Sequence, residues 1–94
     1  MKRIKLTAAE IEDRLAGLPG WKSGGSFIER TFLFKDFPHA VEFVNKLTVP
    51  AEEMQHHPDI HWVYNRLTIR LNTHETGGLT ELDFELAKRL NALI

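Results

Sequence analysis

Four of the five histidines of this chain fall within residues 51–83, and a glutamate stands one helical turn before the first of them. His56 and His57 are adjacent, Glu52 precedes them, and Pro58 follows directly. Imidazole is the side chain that ordinarily titrates near neutrality, so clustered histidines are suited to moving protons. A carboxylate four residues away on a helix can orient His56 for general acid or base catalysis. The pattern therefore predicts an acid–base site.

Several of these side chains also have structural explanations. The His56–His57 pair would interact favourably with the C-terminal dipole of a helix. Asp83, at the third position of a predicted helix, would cap the start of that helix. His61 alternates with apolar neighbours in a strand pattern, and His39 follows the start of a helix pattern. We expect His61 to be an exposed strand residue, and His39 to lie on the first turn of its helix and not to join the site.

A metal site is the chemical alternative to proton transfer. The histidines of residues 51–83 are numerous enough to bind zinc or iron. The sequence contains neither an HExxH spacing nor a cysteine, however. Adjacent histidines such as His56 and His57 rarely both reach one ion. We therefore expect no metal.

Capping residues mark the starts of three helices that must position the site. Thr7 with Glu10 three residues later, and Thr80 with Asp83, are two capping boxes. Asp36 has the side chain of an N-cap and precedes the second helix. We therefore expect helices to begin directly after residues 7, 36 and 80.

The second of these helices leads into the His56–His57 pair and carries one continuous apolar stripe. The stripe consists of Ala40, Val44, Leu47, Ala51 and Met54. Pro50 interrupts it, because proline lacks a backbone donor and crowds the preceding turn. We expect a kink or a break near Val49, with a short helical segment running from Pro50 toward His56.

Strand patterns come in two pairs. Residues 21–23 and 27–35 flank a Gly24-Gly25 turn, and residues 60–64 and 67–71 flank Asn65-Arg66. The strand at 27–35 is apolar on both faces. We expect one of its faces to fill the core and the other to meet a second subunit.

The second pair predicts a hairpin with a defined register. Its expected cross-strand pairs are Tyr64–Leu67, Trp62–Ile69 and Ile60–Leu71. Trp62 and Tyr64 are expected in the core. Continued beyond the strands, the same register brings His57 opposite His74, which offers a reason for two distant histidines to meet.

The order of the elements predicts an α+β fold, with a four-stranded antiparallel sheet and three helices on one face. At 94 residues, we expect a single domain over 1–94. The net charge of −1 provides no strong electrostatic attraction to nucleic acid or to an anionic membrane, so we expect neither as a direct partner. No apolar run approaches the ~18 residues of a transmembrane span, and residues 1–5 lack a signal-peptide core, which predicts the cytoplasm. The small core favours a homodimer or homotetramer.

The residues around the histidines, and the gaps between them, resemble the pterin-4a-carbinolamine dehydratases, also called dimerisation cofactor proteins. The matching residues are Glu52-x-x-x-His56-His57-Pro58, Tyr64-Asn65, Thr73-His74-Glu75, Gly78-Leu79-Thr80 and Asp83. The start of the first helix and the segment at Trp21 also fit. The resemblance therefore extends over essentially the whole chain.

This resemblance implies a hydro-lyase that dehydrates 4a-hydroxytetrahydropterin, such as 4a-hydroxytetrahydrobiopterin, to quinonoid dihydropterin. The reaction serves tetrahydrobiopterin recycling and needs no metal and no cofactor. His56, His57 and His74 match the catalytic histidines of the family, and Glu52 and Asp83 match acidic residues that bind substrate or orient those histidines. The resemblance leaves open a non-catalytic adaptor that binds a protein partner, because animal members also stabilise dimers of a homeodomain transcription factor.

Overall fold

The computed structural model describes residues 3–94 and has helices and strands in the predicted order. The elements are α1 (Ala8–Ala16), β1 (Lys22–Ser23), β2 (Ile28–Leu33), α2 (Phe37–Met54), β3 (Asp59–Val63), β4 (Arg66–Leu71), a 3-10 turn (His74–Thr76) and α3 (Glu81–Asn91). Within residues 3–94, no helix has both the length and the apolar character needed to cross a membrane. The expectation about a signal peptide rests partly on residues 1 and 2, which lie outside the described residues.

The four strands form one antiparallel sheet in the order β1-β2-β4-β3. Side chains on one face of its two central strands are buried, namely Ile28, Phe32, Leu67, Ile69 and Leu71. The opposite face remains open, and Leu33 is 68% exposed there. Since only one face is buried, the helices cover that face. The predicted α+β fold is confirmed.

The helix starts form as predicted because their polar side chains satisfy backbone donors that a helix leaves unpaired. Thr7 accepts a hydrogen bond from the backbone of Glu10, whose carboxylate accepts one from the backbone of Thr7. Thr80 and Asp83 form the same reciprocal box at α3. Asp36 caps α2 by accepting from the backbone of His39 at 3.0 Å. All three predicted caps are confirmed.

Helix α2 runs from Phe37 to Met54 with Pro50 inside it, so of the two outcomes expected near Val49, a break is wrong and a kink stays a prediction. Proline removes only one backbone hydrogen bond from the helix, and burial of its ring in this apolar surface offsets that loss. The predicted stripe faces the core. The expected helical segment after Pro50 is present and runs toward His56, and it ends at Met54.

The β3–β4 hairpin adopts a register shifted from the predicted one by two residues. Its observed pairs include Val63–Arg66, Trp62–Leu67 and Ile60–Ile69. The turn is therefore Tyr64-Asn65 rather than Asn65-Arg66. Extended beyond the strands, this register places His57 opposite Asn72, so the reason offered for His57 meeting His74 is wrong.

Contacts of the turn residues stabilise the observed register. The side chain of Asn65 donates to the carbonyl of Phe34 at 2.7 Å, and the backbone N–H of Phe34 donates to the carbonyl of Asn65 at 2.9 Å. The Trp62 indole, half-buried against the core as expected, donates to the carbonyl of Tyr64 at 2.7 Å. Tyr64 itself has a positive φ of 52° and is 62% exposed. Its predicted place in the core is wrong, because the turn projects it into solvent.

Candidate active site

The backbone conformation of Gln55, at the end of α2, places the two adjacent histidines in different surroundings. Its backbone is in the left-handed conformation, with φ 49° and ψ 45°, and this ends the helix. The backbone N–H of His56 then donates to the carbonyl of Ala51 at 3.0 Å, which closes the helix end. As a result His56 is only 6% exposed, whereas the side chain of His57 is 61% exposed.

His56 makes its side-chain contact with the start of α3. Its Nε2 lies 2.6 Å from Oδ1 of Asp83, a residue with no solvent exposure. Oδ2 of the same carboxylate accepts from the hydroxyl of Thr73 and from the backbone N–H of Thr80, each at 2.9 Å. Asp83 therefore both caps α3 and holds the ring of His56. The capping box predicted the helix start, and the family resemblance implied that Asp83 binds substrate or orients a histidine; its contact with His56 is of the orienting kind.

Glu52 pairs with His57 rather than with His56. Its Oε2 lies 2.5 Å from Nε2 of His57, and both side chains are exposed. The expected Glu52–His56 pair depended on a helix that includes both residues, and that helix ends before His56. The two adjacent imidazoles thus have separate carboxylate partners, one buried and one at the surface.

His74 begins the 3-10 turn that follows β4. Thr73 and Gly78 form a bridge that closes this loop, and Gly77 reverses the chain with a left-handed φ of 70°. Because the hydroxyl of Thr73 contacts Asp83, the backbone of His74 starts beside the His56–Asp83 pair. The ring of His74 makes no hydrogen bond within the described residues. A common pocket for His74 and the other two histidines stays a prediction.

The remaining two histidines lie on the first turn of α2 and on β3, as expected. His39 is exposed in the first turn of α2, where its Nδ1 lies 2.5 Å from a carboxylate oxygen of Asp36. His61 is exposed on the open sheet face, in a depression of about 380 Å³ that it shares with Thr68 and Arg70. Over residues 3–94, no three or more histidine, aspartate or glutamate side chains gather as metal ligands would.

Thr73 and Thr80 contact the predicted site residue Asp83, and the sequence reasoning gave neither of them a part in the site. Both are fully buried, and their hydroxyl oxygens lie 2.7 Å apart. The capping box predicted only that Thr80 and Asp83 would bond to each other's backbone at the start of α3. No spacing signal linked Thr73 to Asp83, ten residues later, because their contact depends on the path of the loop between them.

Comparison with known proteins gives a consistent result. The sequence model of the family described as Pterin 4 alpha carbinolamine dehydratase matches residues 4–93. A Thermosynechococcus vestitus protein is 49% identical over 89 residues, which span 95% of this chain and 94% of that protein. A Sulfurisphaera tokodaii protein is 48% identical over 90 residues, which span 96% of this chain and 97% of that protein. Both are provisionally named pterin-4-alpha-carbinolamine dehydratases.

Solved structures share the fold. A transcriptional coactivator/pterin dehydratase from Brucella melitensis superposes with a TM-score of 0.91 and 39% identity, covering 96% of this chain and 98% of that one. A pterin dehydratase-like protein described as a RuBisCO assembly factor in the alpha-carboxysome has a TM-score of 0.64 and 22% identity, covering 78% and 84% of the two chains. From the family match over residues 4–93 and the near-complete coverage of these relatives, the chain belongs to the pterin-4a-carbinolamine dehydratase family.

Proposed function

We propose that this chain dehydrates 4a-hydroxytetrahydropterin, including its biopterin form, to quinonoid dihydropterin by histidine acid–base catalysis. The observation that carries the proposal is the buried His56–Asp83 pair, next to which the backbone of His74 begins. Family membership supports the reaction class. The contacts of the histidines support the way in which the chain performs it.

The reaction removes water across the C4a–N5 bond of the substrate. The C4a–O bond breaks as the departing oxygen takes up a proton, and N5 loses its proton. The electron pair of the N5–H bond then forms the C4a=N5 double bond. One proton is delivered and one is removed, so a protonated imidazole and a neutral imidazole together complete the step, and exchange with solvent restores both.

The three histidines divide this work according to their surroundings. We assign His56 and His74 to the two proton transfers, with Asp83 orienting the ring of His56. His57, held at the surface by Glu52, binds the pterin or assists. A positioned acid or base of this kind contributes a rate factor of roughly 10²–10⁴.

The direct test is a dehydratase assay on the purified chain, in which loss of the carbinolamine is compared with its uncatalysed rate. Wild type should accelerate the reaction, and His56→Ala should lower kcat by roughly 10²-fold or more. His61→Ala is the matched control, since it removes an exposed histidine on the open sheet face. That variant should retain wild-type turnover.

The pH dependence offers a second measurement. Because one imidazole must be protonated and another neutral, kcat/KM should pass through a maximum and fall on both sides. A folded wild-type chain with no acceleration over the uncatalysed rate would contradict the proposal. That result would favour the alternative, an adaptor that binds another protein.

A further inference from the structure

Two buried threonines connect the start of α3 to the carboxylate that holds His56. Thr73 and Thr80 have no solvent exposure, and neither hydroxyl forms a hydrogen bond with the ring of His56. Capping of α3 alone would explain the burial of Thr80 and its contact with Asp83. Thr73 precedes the 3-10 turn but its hydroxyl makes no capping hydrogen bond there, so its contact with Asp83 needs another explanation.

The hydrogen bonds of these hydroxyls have only one consistent direction. Thr73 donates its single hydroxyl hydrogen to Oδ2 of Asp83 at 2.9 Å. In the 2.7 Å contact between the threonine hydroxyls, Thr80 must therefore be the donor. The oxygen of Thr80 in turn accepts from the backbone N–H of Leu82 at 3.2 Å. Each hydroxyl therefore donates in the direction of Asp83, from Thr80 to Thr73 and from Thr73 to Oδ2.

This direction determines how Asp83 meets His56. Oδ2 already accepts two hydrogen bonds, from Thr73 and from the backbone of Thr80, so these two neighbours supply the hydrogens at this oxygen. An ionised carboxylate only accepts, so Nε2 of His56, 2.6 Å from Oδ1, must carry a hydrogen. In the neutral ring, the unprotonated nitrogen is then Nδ1.

The surroundings of Nδ1 agree with a role toward substrate. Every buried side-chain nitrogen or oxygen in residues 3–94 has a hydrogen-bond partner. Nδ1 of His56 has none among these residues, so this atom must reach the surface although the ring is only 7% exposed. The ring is therefore anchored through Nε2, and Nδ1 is the ring nitrogen that keeps some contact with solvent.

We propose that Thr73 and Thr80 are positioning residues that keep Asp83 an acceptor, hold His56 in the Nε2-protonated tautomer, and leave Nδ1 as the atom that exchanges a proton with the pterin. The role of Nδ1 toward the pterin rests on the proposed function, whereas the tautomer of His56 does not. Moving the hydrogen of His56 from Nε2 to Nδ1 would leave two buried acceptors, Nε2 of His56 and Oδ1 of Asp83, facing each other without a hydrogen. This cost biases the tautomers by roughly 5- to 150-fold.

Nitrogen NMR of the histidine rings tests the tautomer without reference to activity. Two-bond 15N–1H correlation spectra of the full-length labelled chain, recorded where the ring is neutral, distinguish a protonated nitrogen from an unprotonated one. The signals of His56 are assigned by their absence in His56→Gln. Wild type should show a protonated Nε2 and an unprotonated Nδ1. An Nδ1-protonated ring, or an even average of the two tautomers, would overturn the proposal whether or not the Thr73 variants fold.

Substitution of Thr73 tests the threonines themselves. Thr73→Val keeps the shape but removes the hydroxyl, so the His56 signals should move toward the other tautomer. Its kcat should fall by roughly 10- to 100-fold, with KM little changed. Thr73→Ser keeps the hydroxyl and should restore both the spectrum and kcat. Thr76→Val is the spectral control, because its hydroxyl donates only to backbone carbonyls of the same loop.

The outcomes separate this inference from the proposed function. A fixed tautomer that Thr73→Val disturbs, in a chain without dehydratase activity, would support the positioning role while the function fails. An active chain in which folded Thr73→Val keeps the wild-type His56 spectrum would overturn the positioning role and leave the function intact. A loss of kcat in Thr73→Ser equal to that in Thr73→Val would also overturn it.

Discussion

Asp83→Asn changes the donors and acceptors around His56 at almost constant volume. The amide oxygen should occupy the position of Oδ2, because Thr73 and the backbone of Thr80 both donate there. The amide nitrogen then replaces Oδ1 and points its hydrogens at Nε2 of His56, 2.6 Å away. Two donors cannot share that contact, so the imidazole must move its hydrogen to Nδ1. The variant should therefore contain the opposite tautomer.

The contacts determine the size of each effect. Three hydrogen bonds lose their charge assistance, each weakened by about 1 kcal/mol, and loss of the negative charge at the start of α3 adds about 0.5 kcal/mol. Relief from burying a charge offsets part of this, so the free energy of unfolding should fall by about 1–3 kcal/mol. The rate should fall further. A misplaced hydrogen on a catalytic imidazole lowers kcat by roughly 10²–10⁴-fold, equal to about 3–5 kcal/mol of barrier.

Three measurements on one preparation decide the matter: denaturant unfolding, ring nitrogen NMR of His56, and kcat for the carbinolamine. Asp13→Asn is the matched control, because it makes the same chemical change on the exposed surface of α1. It should alter none of the three. If Asp83→Asn stays folded, keeps the hydrogen on Nε2 and turns over at close to the wild-type rate, the role given to the carboxylate is wrong.

Further expectations concern other parts of the chain. His74→Ala should lower kcat by ~10²-fold or more while leaving the fold intact, because the ring is exposed, and His39→Ala should leave kcat unchanged. The His39 ring and then its backbone donate to Asp36, which holds the pKa of that carboxyl below its ordinary value. Its stabilisation should be complete above the ordinary aspartate pKa and be lost as pH falls through the lowered value, so the unfolding free energies of wild type and Asp36→Asn should converge in acid. Sedimentation equilibrium should find an assembly of two or four chains, and a persistent single-chain species would refute this. A chelator should not reduce activity, and rescue by zinc after such a loss would reverse our view of the chemistry.

The sequence was most informative where structure depends on neighbours along the chain. The caps at Thr7, Asp36 and Thr80 were predictable, because a capping side chain reaches only two or three residues ahead. The apolar stripe of α2 was predictable because helical periodicity alone defines it. The hairpin register was not, since a shift of two residues keeps every side chain on its own face. The hydrogen bonds between Asn65 and Phe34, 31 residues apart, stabilise the register, and local pattern does not contain them.

The structure contradicts the predicted pairing within the candidate site, whereas the catalytic part of its residues stays a prediction. A rule for residues four apart on a helix joined Glu52 to His56, and it failed because Gln55 leaves the helical conformation between them. The contact of His56 with Asp83 joins the end of one helix to the start of another. It depends on how α2 and α3 pack, which no spacing along the chain expresses.

The double role of Asp83 affects how relatives of this chain should be compared. A descendant that gave up catalysis would still need an acid at this position to begin α3, so folding alone would preserve it. Presence of this aspartate is therefore a poor marker of activity. The hydroxyl of Thr73 serves only the network around the carboxylate, and valine would fill the same space. Among such relatives, the residue at the position of Thr73, read together with His56, should separate working enzymes from those that have kept only the fold.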